Sequence, residues 1–163
     1  MSAVVQISDL TVRKNETVIL DRISCDWQLG DFILLTGDSG SGKSTFIHTI
    51  AGFNGVSFQG NVVMDGQRMS NYTIPEKAQK IGLMFQNPGQ QFTMRTLERE
   101  CFFALENCGL PYDQAKVRLN QVVDDLGIRH LLEQDLMTLS GGEKQRAALA
   151  ILIAVNPPVF FLD

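Results

Sequence analysis

Residues 37 to 45, Gly37-Asp38-Ser39-Gly40-Ser41-Gly42-Lys43-Ser44-Thr45, carry a spacing that can do chemistry. They fit G-x-x-x-x-G-K-[ST], the pattern of a loop that cradles a polyphosphate. Glycines let the backbone turn tightly, so that successive N–H groups point inward at phosphate oxygens. A helix opening near Gly42 would add its positive dipole end and its N–H groups. Lys43 has the reach to meet β- and γ-phosphates, and the Ser44 hydroxyl suits a Mg²⁺ position. The flanks supply what the pattern requires. Phe32-Ile33-Leu34-Leu35-Thr36 is an apolar run of strand length, and Phe46 to Ala51 can continue as a helix.

A second such stretch is Leu139-Ser140-Gly141-Gly142-Glu143-Lys144-Gln145-Arg146, followed by the apolar run Ala147 to Val155. Ser140 and Glu143 form a capping box, which predicts a helix beginning at Ser140. Gly141 and Gly142 fall at its first positions, where each costs about 1 kcal/mol relative to alanine. A purely structural helix start has no use for that cost. Two bare glycine N–H groups and a serine hydroxyl at a helix start instead make an anion site.

Two single residues complete the set. Ile81 to Phe85 reads as a buried strand that delivers Gln86 to its carboxyl end, where ligands bind in open α/β sheets. Val159-Phe160-Phe161-Leu162 reads as a buried parallel strand ending in Asp163, a carboxylate able to organise Mg²⁺.

The elements that must position these residues follow from pattern. Short β segments at Val4–Ile7, Leu10–Val12, Val18–Leu20 and Ile23–Leu29, with a turn at Asn15-Glu16, predict an antiparallel β layer ahead of the glycine loop. Trp27 reads as a packing residue within it. Gly52 and Gly55 punctuate the end of the first helix. Gly60 to Gly66 is a strand closed by Asp65-Gly66, and Pro75 starts a helix within the polar stretch 70–80. Thr96 caps a helix whose inner face carries Leu97, Cys101, Ala104, Leu105 and Cys108, with Glu98 and Glu100 suiting its dipole. A further helix from about Asp113 to Leu126 turns Ala115, Leu119, Val122 and Val123 inward and stops at Gly127.

Bulk properties set the class. With 163 residues, 44% hydrophobic and 20% charged, the chain is sized for one globular domain. A net charge of −4 offers no basic footprint for nucleic acid. Ala147 to Val155 is too short to span a bilayer, and the first twenty residues lack a signal-peptide pattern. Three cysteines without metal-ligand spacing fit free thiols in a reducing cytosol.

Taken together and in this order, these motifs resemble the ATP-binding domain of ABC transporters over essentially the whole chain. Gly37 to Thr45 are similar to the Walker A motif and Gln86 to the Q-loop. Leu139 to Arg146 match the signature and Val159 to Asp163 the Walker B strand. Within the family, Phe85-Gln86-Asn87-Pro88 with Gln91-Phe92, and Phe103-Ala104-Leu105-Glu106-Asn107, resemble energy-coupling factor ATPases, which power uptake of vitamins or transition-metal ions. The resemblance implies an α/β P-loop NTPase fold with a parallel sheet core over 1–86 and 156–163, and a helical subdomain with the signature helix over 87–155. It implies ATP and Mg²⁺ as cofactors, with Lys43, Gln86 and Asp163 catalytic and Ser44, Gln86 and Asp163 toward Mg²⁺. Residues 37–45 would hold ATP in one protomer, and Ser140, Gly141 and Gly142 would cover the ATP of a partner in a head-to-tail dimer, whether homodimer or paralogous heterodimer. Gln86 and the helical subdomain would link the site to a transmembrane subunit, with the protein peripheral on the cytoplasmic face of the membrane and no role for nucleic acid.

The sequence departs from the family in two ways. Arg13 and Lys14 stand where the family usually places an aromatic that stacks on adenine. The family's catalytic glutamate directly follows the Walker B aspartate, so the sequence reads as the first two-thirds of a longer domain. His48 and His130 do not match the family's switch histidine and read as structural or solvent-facing. A nucleotide-binding piece that does not itself hydrolyse is the alternative on these residues alone. A small-molecule kinase would share the glycine loop but not Gln86 or Ser140 to Glu143.

Overall fold

Strands β1 (Val5–Lys14) and β2 (Thr17–Trp27) form an antiparallel hairpin turned by Asn15 and Glu16, with Asn15 at φ 55°. The computed structural model describes residues 4–52 and 56–163. Two compact units are present, Met1–Lys77 and Ala78–Asp163.

In the first unit, β1 and β2 join β3 (Phe58–Met64) and β4 (Gln67–Arg68) in an antiparallel sheet of order β2-β1-β3-β4. The segments that the sequence breaks in two are continuous strands interrupted by bulges. At Asp9 and Arg22 the backbone enters the left-handed region, φ 52° and 47°. The amides displaced there are recovered by side chains: Asp9 N–H donates to Ser24 Oγ at 2.9 Å and Arg22 N–H to Thr11 Oγ1 at 3.0 Å. The bulge also changes phase, so that Val5 and Ile7 before it and Leu10 and Val12 after it are all buried. Gly60 crosses this point so closely that a Cβ would lie 2.5 Å from the carbonyl oxygens of Ser8 and Asp9.

Helix α1 (Lys43–Ala51) belongs to the same unit and buries Phe46, Ile47, Ile50 and Ala51. Trp27 meets Phe46 edge-on at 6.2 Å, the packing role expected of it. The helix stops at Gly52, φ 73°; Gly55 lies outside the described residues. The run 32–36, expected as the strand before the glycine loop, forms none: Phe32 is 93% and Leu34 75% exposed. An apolar run becomes a strand only where neighbouring N–H and C=O groups pair with it, and 32–36 belongs to neither sheet.

Helix α2 (Ile74–Lys80) runs directly into β5 (Ile81–Met84). In the second unit β5 pairs in parallel with β6 (Val159–Leu162), in the register Ile81–Val159 to Met84–Leu162. The same unit contains α3 (Leu97–Asn107), α4 (Tyr112–Asp125) and α5 (Gly141–Val155). Leu97, Cys101 and Leu105 of α3, Leu119 and Val123 of α4, and Ala147, Ala150 and Ala154 of α5 share one apolar core. The alanine stripe lets α5 approach its neighbours closely. Arg118 from α4 donates to the carbonyl of Ala154 at 3.1 Å and so covers the end of α5. The boundary at Lys77 sets β5 and β6 in one unit with the helices, whereas the sequence reading divides the chain at 86 and 156.

All three cysteines are free thiols. Among the described residues no helix is long and apolar enough to cross a membrane.

Candidate functional site

The loop from Gly37 to Gly42 sits at the start of α1 and is built as its glycines require. A Cβ on Gly37 would stand 2.9 Å from Ser41 Oγ, and one on Gly42 3.0 Å from Leu20 and 3.1 Å from Ile19. Gly42 also has φ 95°, a left-handed conformation that side chains resist. Ser41 N–H donates to the carbonyl of Asp38 at 3.2 Å, closing the turn, and Phe46 N–H to that of Gly42 at 2.8 Å, opening the helix. The start of α1 has no side-chain cap.

Lys43 folds back over this loop. Its Nζ donates to the carbonyls of Asp38 at 2.7 Å and Gly37 at 2.9 Å, and to Ser41 Oγ at 3.4 Å. The three donors of the ammonium are thus directed at the loop itself, and the long bond to Ser41 is the one most readily exchanged for a phosphate oxygen. Asp38, Ser39 and Gly40 are exposed, as is Ser44 in the first turn, with Thr45 half-buried behind it.

In the second unit, the parallel ladder carries Gln86 and Asp163 to the same edge. Asp163 N–H donates to the carbonyl of Met84 at 3.0 Å, one step beyond the last register pair. Gln86 is exposed and Asp163 half-buried there. Hydroxyl, amide and carboxylate oxygens such as those of Ser44, Gln86 and Asp163 are the hard donors that Mg²⁺ prefers. Within each unit, then, expected site residues are brought together: 37–45 in the first, Gln86 and Asp163 in the second.

Ser140 caps α5 as expected. Glu143 Oε2 accepts from Ser140 N–H at 2.8 Å and from its hydroxyl at 2.6 Å, and Glu143 N–H returns a bond to Ser140 Oγ at 3.4 Å. The Ser140 hydroxyl and amide beside it hold the Glu143 carboxyl below its usual range. A Cβ on Gly141 or Gly142 would meet nothing within 4 Å. Among the described residues, nothing crowds these glycines.

Two residues near Gln86 were not legible as site residues. The Gln91 side chain accepts from Phe85 N–H at 3.0 Å and donates to the Leu83 carbonyl at 2.8 Å. Glu100, read from sequence as a dipole-complementing residue, is buried and accepts from the backbone amides of Thr93 and Met94. The only signal near them is the Pro88-Gly89 break that precedes both. Arg13 and Lys14 are exposed at the end of β1, His48 is half-buried on α1, and His130 is exposed.

The family model described as ABC transporter matches residues 20–163. The energy-coupling factor transporter ATP-binding protein EcfA1 of Streptococcus thermophilus is 35% identical, over 98% of this chain and 58% of that protein. The protein of the same name from Streptococcus pyogenes is also 35% identical, over all of this chain and 59% of its own length. Among solved structures, cbiO1 of Clostridium perfringens, described as part of the ABC transporter complex cbiONQ, superposes with TM-score 0.83 at 26% identity. That match covers all of this chain and 66% of cbiO1. An ATP-binding subunit of an ABC transporter has the same fold, with TM-score 0.86 at 22% identity over 98% of this chain and 65% of its own. The chain therefore spans about three-fifths of the length of the curated relatives it matches.

Proposed function

The chain belongs to the ABC transporter family, and from that premise we propose that it binds and hydrolyses ATP for a transporter of the energy-coupling factor kind. The observation that carries this reading is the glycine loop, which leads through a left-handed Gly42 into α1 and brings the Lys43 ammonium onto its own carbonyls. The loop suits a polyphosphate, because glycines at 37 and 42 let its backbone lie close against Ser41, Leu20 and Ile19, where a Cβ would clash.

On this reading residues 37–45 bind the triphosphate, with backbone amides facing its oxygens and Lys43 neutralising the β- and γ-phosphates. Mg²⁺, when bound, supplies charge to the developing phosphate transition state. Ser44, Gln86 and Asp163 would hold it, and Gln86 would also orient the attacking water. Ser140, Gly141 and Gly142 bind the phosphates of a second ATPase subunit, identical or paralogous, in a head-to-tail pair. The open space around both glycines supports a face made for an approaching partner. Residues 87–155 form the helical subdomain that contacts a transmembrane subunit, so the protein works peripherally on the cytoplasmic face of the membrane. The cargo, on the resemblance to energy-coupling factor ATPases, is a vitamin or a transition-metal ion.

Lys43→Ala tests this reading directly, because it removes the point charge from the phosphate site. Calorimetric titration with ATP and Mg²⁺ is expected to show binding to the native protein and none to the variant. Equal affinity in both would overturn the assignment.

A further inference from the structure

The side-chain amide of Gln91 does the work of a missing strand. In a parallel ladder, the partner opposite a residue receives an N–H from the residue that follows it and donates one to the carbonyl of the residue that precedes it. Around Met84 both groups are taken by Gln91: Phe85 N–H donates to Oε1 at 3.0 Å, and Nε2 donates to the Leu83 carbonyl at 2.8 Å. The orientation of the amide is fixed, since reversing it would set donor against donor and acceptor against acceptor. The other side of Met84 is bonded to β6, through Asp163 N–H. The end of β5 is therefore held from both sides, by β6 and by one side chain.

This arrangement ties a small ring. Gln86 to Gln90 lie between Phe85 and Gln91, and the Gln91 side chain closes the two ends together. Inside it, Gln90 N–H donates to Asn87 at 3.1 Å and Gln91 N–H to Pro88 at 3.0 Å, forming a single helical turn. Past the ring, Glu100 grips Thr93 and Met94 from α3. Gly89 packs on Lys144 of α5, so closely that a Cβ would lie 3.2 Å from Lys144 Cδ. The backbone that presents Gln86 is thus fixed at its root, while the Gln86 side chain itself is exposed.

We propose that Gln91 is a positioning residue for Gln86, closing the loop that aims it and so setting how well it meets Mg²⁺ and water. This rests on the role given to Gln86 above. The test is steady-state ATP turnover by the native transporter complex, for Gln91→Met, Gln91→Glu, Gln86→Ala and the Gln86→Ala/Gln91→Met pair. Methionine keeps the length of the side chain without either bond, and glutamate keeps only the bond from Phe85. Gln91→Met is expected to lower kcat about tenfold, the scale of one lost hydrogen bond in the transition state, with KM for ATP unchanged and a higher Mg²⁺ requirement. Gln91→Glu should fall between it and the native protein. The double variant should turn over no more slowly than Gln86→Ala alone. If Gln91→Met is equally damaging with Gln86 already removed, or if kcat is unmoved in both Gln91 variants, the proposal is overturned. Native turnover in Gln86→Ala would overturn instead the role assigned to Gln86, whatever the Gln91 variants do.

Discussion

The amide of Asp163 donates to the carbonyl of Met84 at 3.0 Å, so that the acid arrives opposite Phe85 and next to the residue that follows it. The alignment depends on how closely β5 lies to its surroundings. Gly82 makes that approach possible: a Cβ there would stand 2.9 Å from Pro157 Cγ and 3.0 Å from Leu152 Cδ2. Gly82→Ala is expected to destabilise the second unit by about 1–3 kcal/mol through overpacking. A denaturant midpoint equal to that of the native protein would show that the neighbours give way freely.

Gly141 is the opposite case, with open space around its Cα. Gly141→Asp should leave stability within about 0.5 kcal/mol of native, as surface changes do. It should also leave ATP binding to the chain intact, yet prevent ATP-driven pairing by setting a carboxylate against phosphate. Light scattering behind gel filtration distinguishes the two; native-like dimers with ATP would contradict the prediction.

Cys101 is buried in the helical core, and burial first, then the neighbouring Glu100 charge, pushes its thiol up to about 12 from 9.0. The folded protein therefore keeps this proton where the unfolded chain has lost it. Stability from this group is present below pH 9 and falls as pH rises from 9 toward 12. Denaturant midpoints across that window should decline less steeply in Cys101→Ala. At pH 8, a thiol reagent should modify Cys25 and Cys108, both half-buried, well before Cys101.

The Ser140–Glu143 box gives a prediction of the other sign. Glu143 is held below 4.5 by the Ser140 hydroxyl and amide, so its contribution is present above pH 4.5 and is lost as pH falls through the lowered value. Glu143→Gln should flatten the acid limb of a stability profile, leaving the share due to Asp124 with Arg129 and Asp135 with Met137 and Arg95. Carboxyl chemical shifts give the titration directly, and a Glu143 midpoint at or above 4.5 would refute the box. Ser140→Ala should cost about 1 kcal/mol, as loss of an N-cap does.

Much of this molecule could be read from residue type and spacing, and the reason is local physics. The capping box at Ser140, the cap at Thr96, the turn at Asn15-Glu16 and the glycine loop are each decided within a few residues, and each is found where the pattern puts it. The helix over Tyr112–Asp125 differs from expectation by one residue at either end. What could not be read depends on partners distant in the chain. The apolar pattern of 32–36 says that it can be a strand, not that a neighbour is there to pair with it. The bulges at Asp9 and Arg22 join segments that look separate, because Ser24 and Thr11 happen to lie opposite. Gln91 escaped for the same reason: nothing in a glutamine after Pro-Gly-Gln announces that its amide will complete a strand.

Helix α1 begins at a left-handed glycine with no side chain to finish it, whereas α5 carries its own serine and glutamate. The two starts therefore respond to their surroundings differently. The first has its stability tied to whatever anion occupies the loop, at a strength set by concentration over dissociation constant; at a hundredfold excess this amounts to about 2.7 kcal/mol. On the proposed reading, the melting temperature of this protein becomes a gauge of nucleotide, rising as the loop fills.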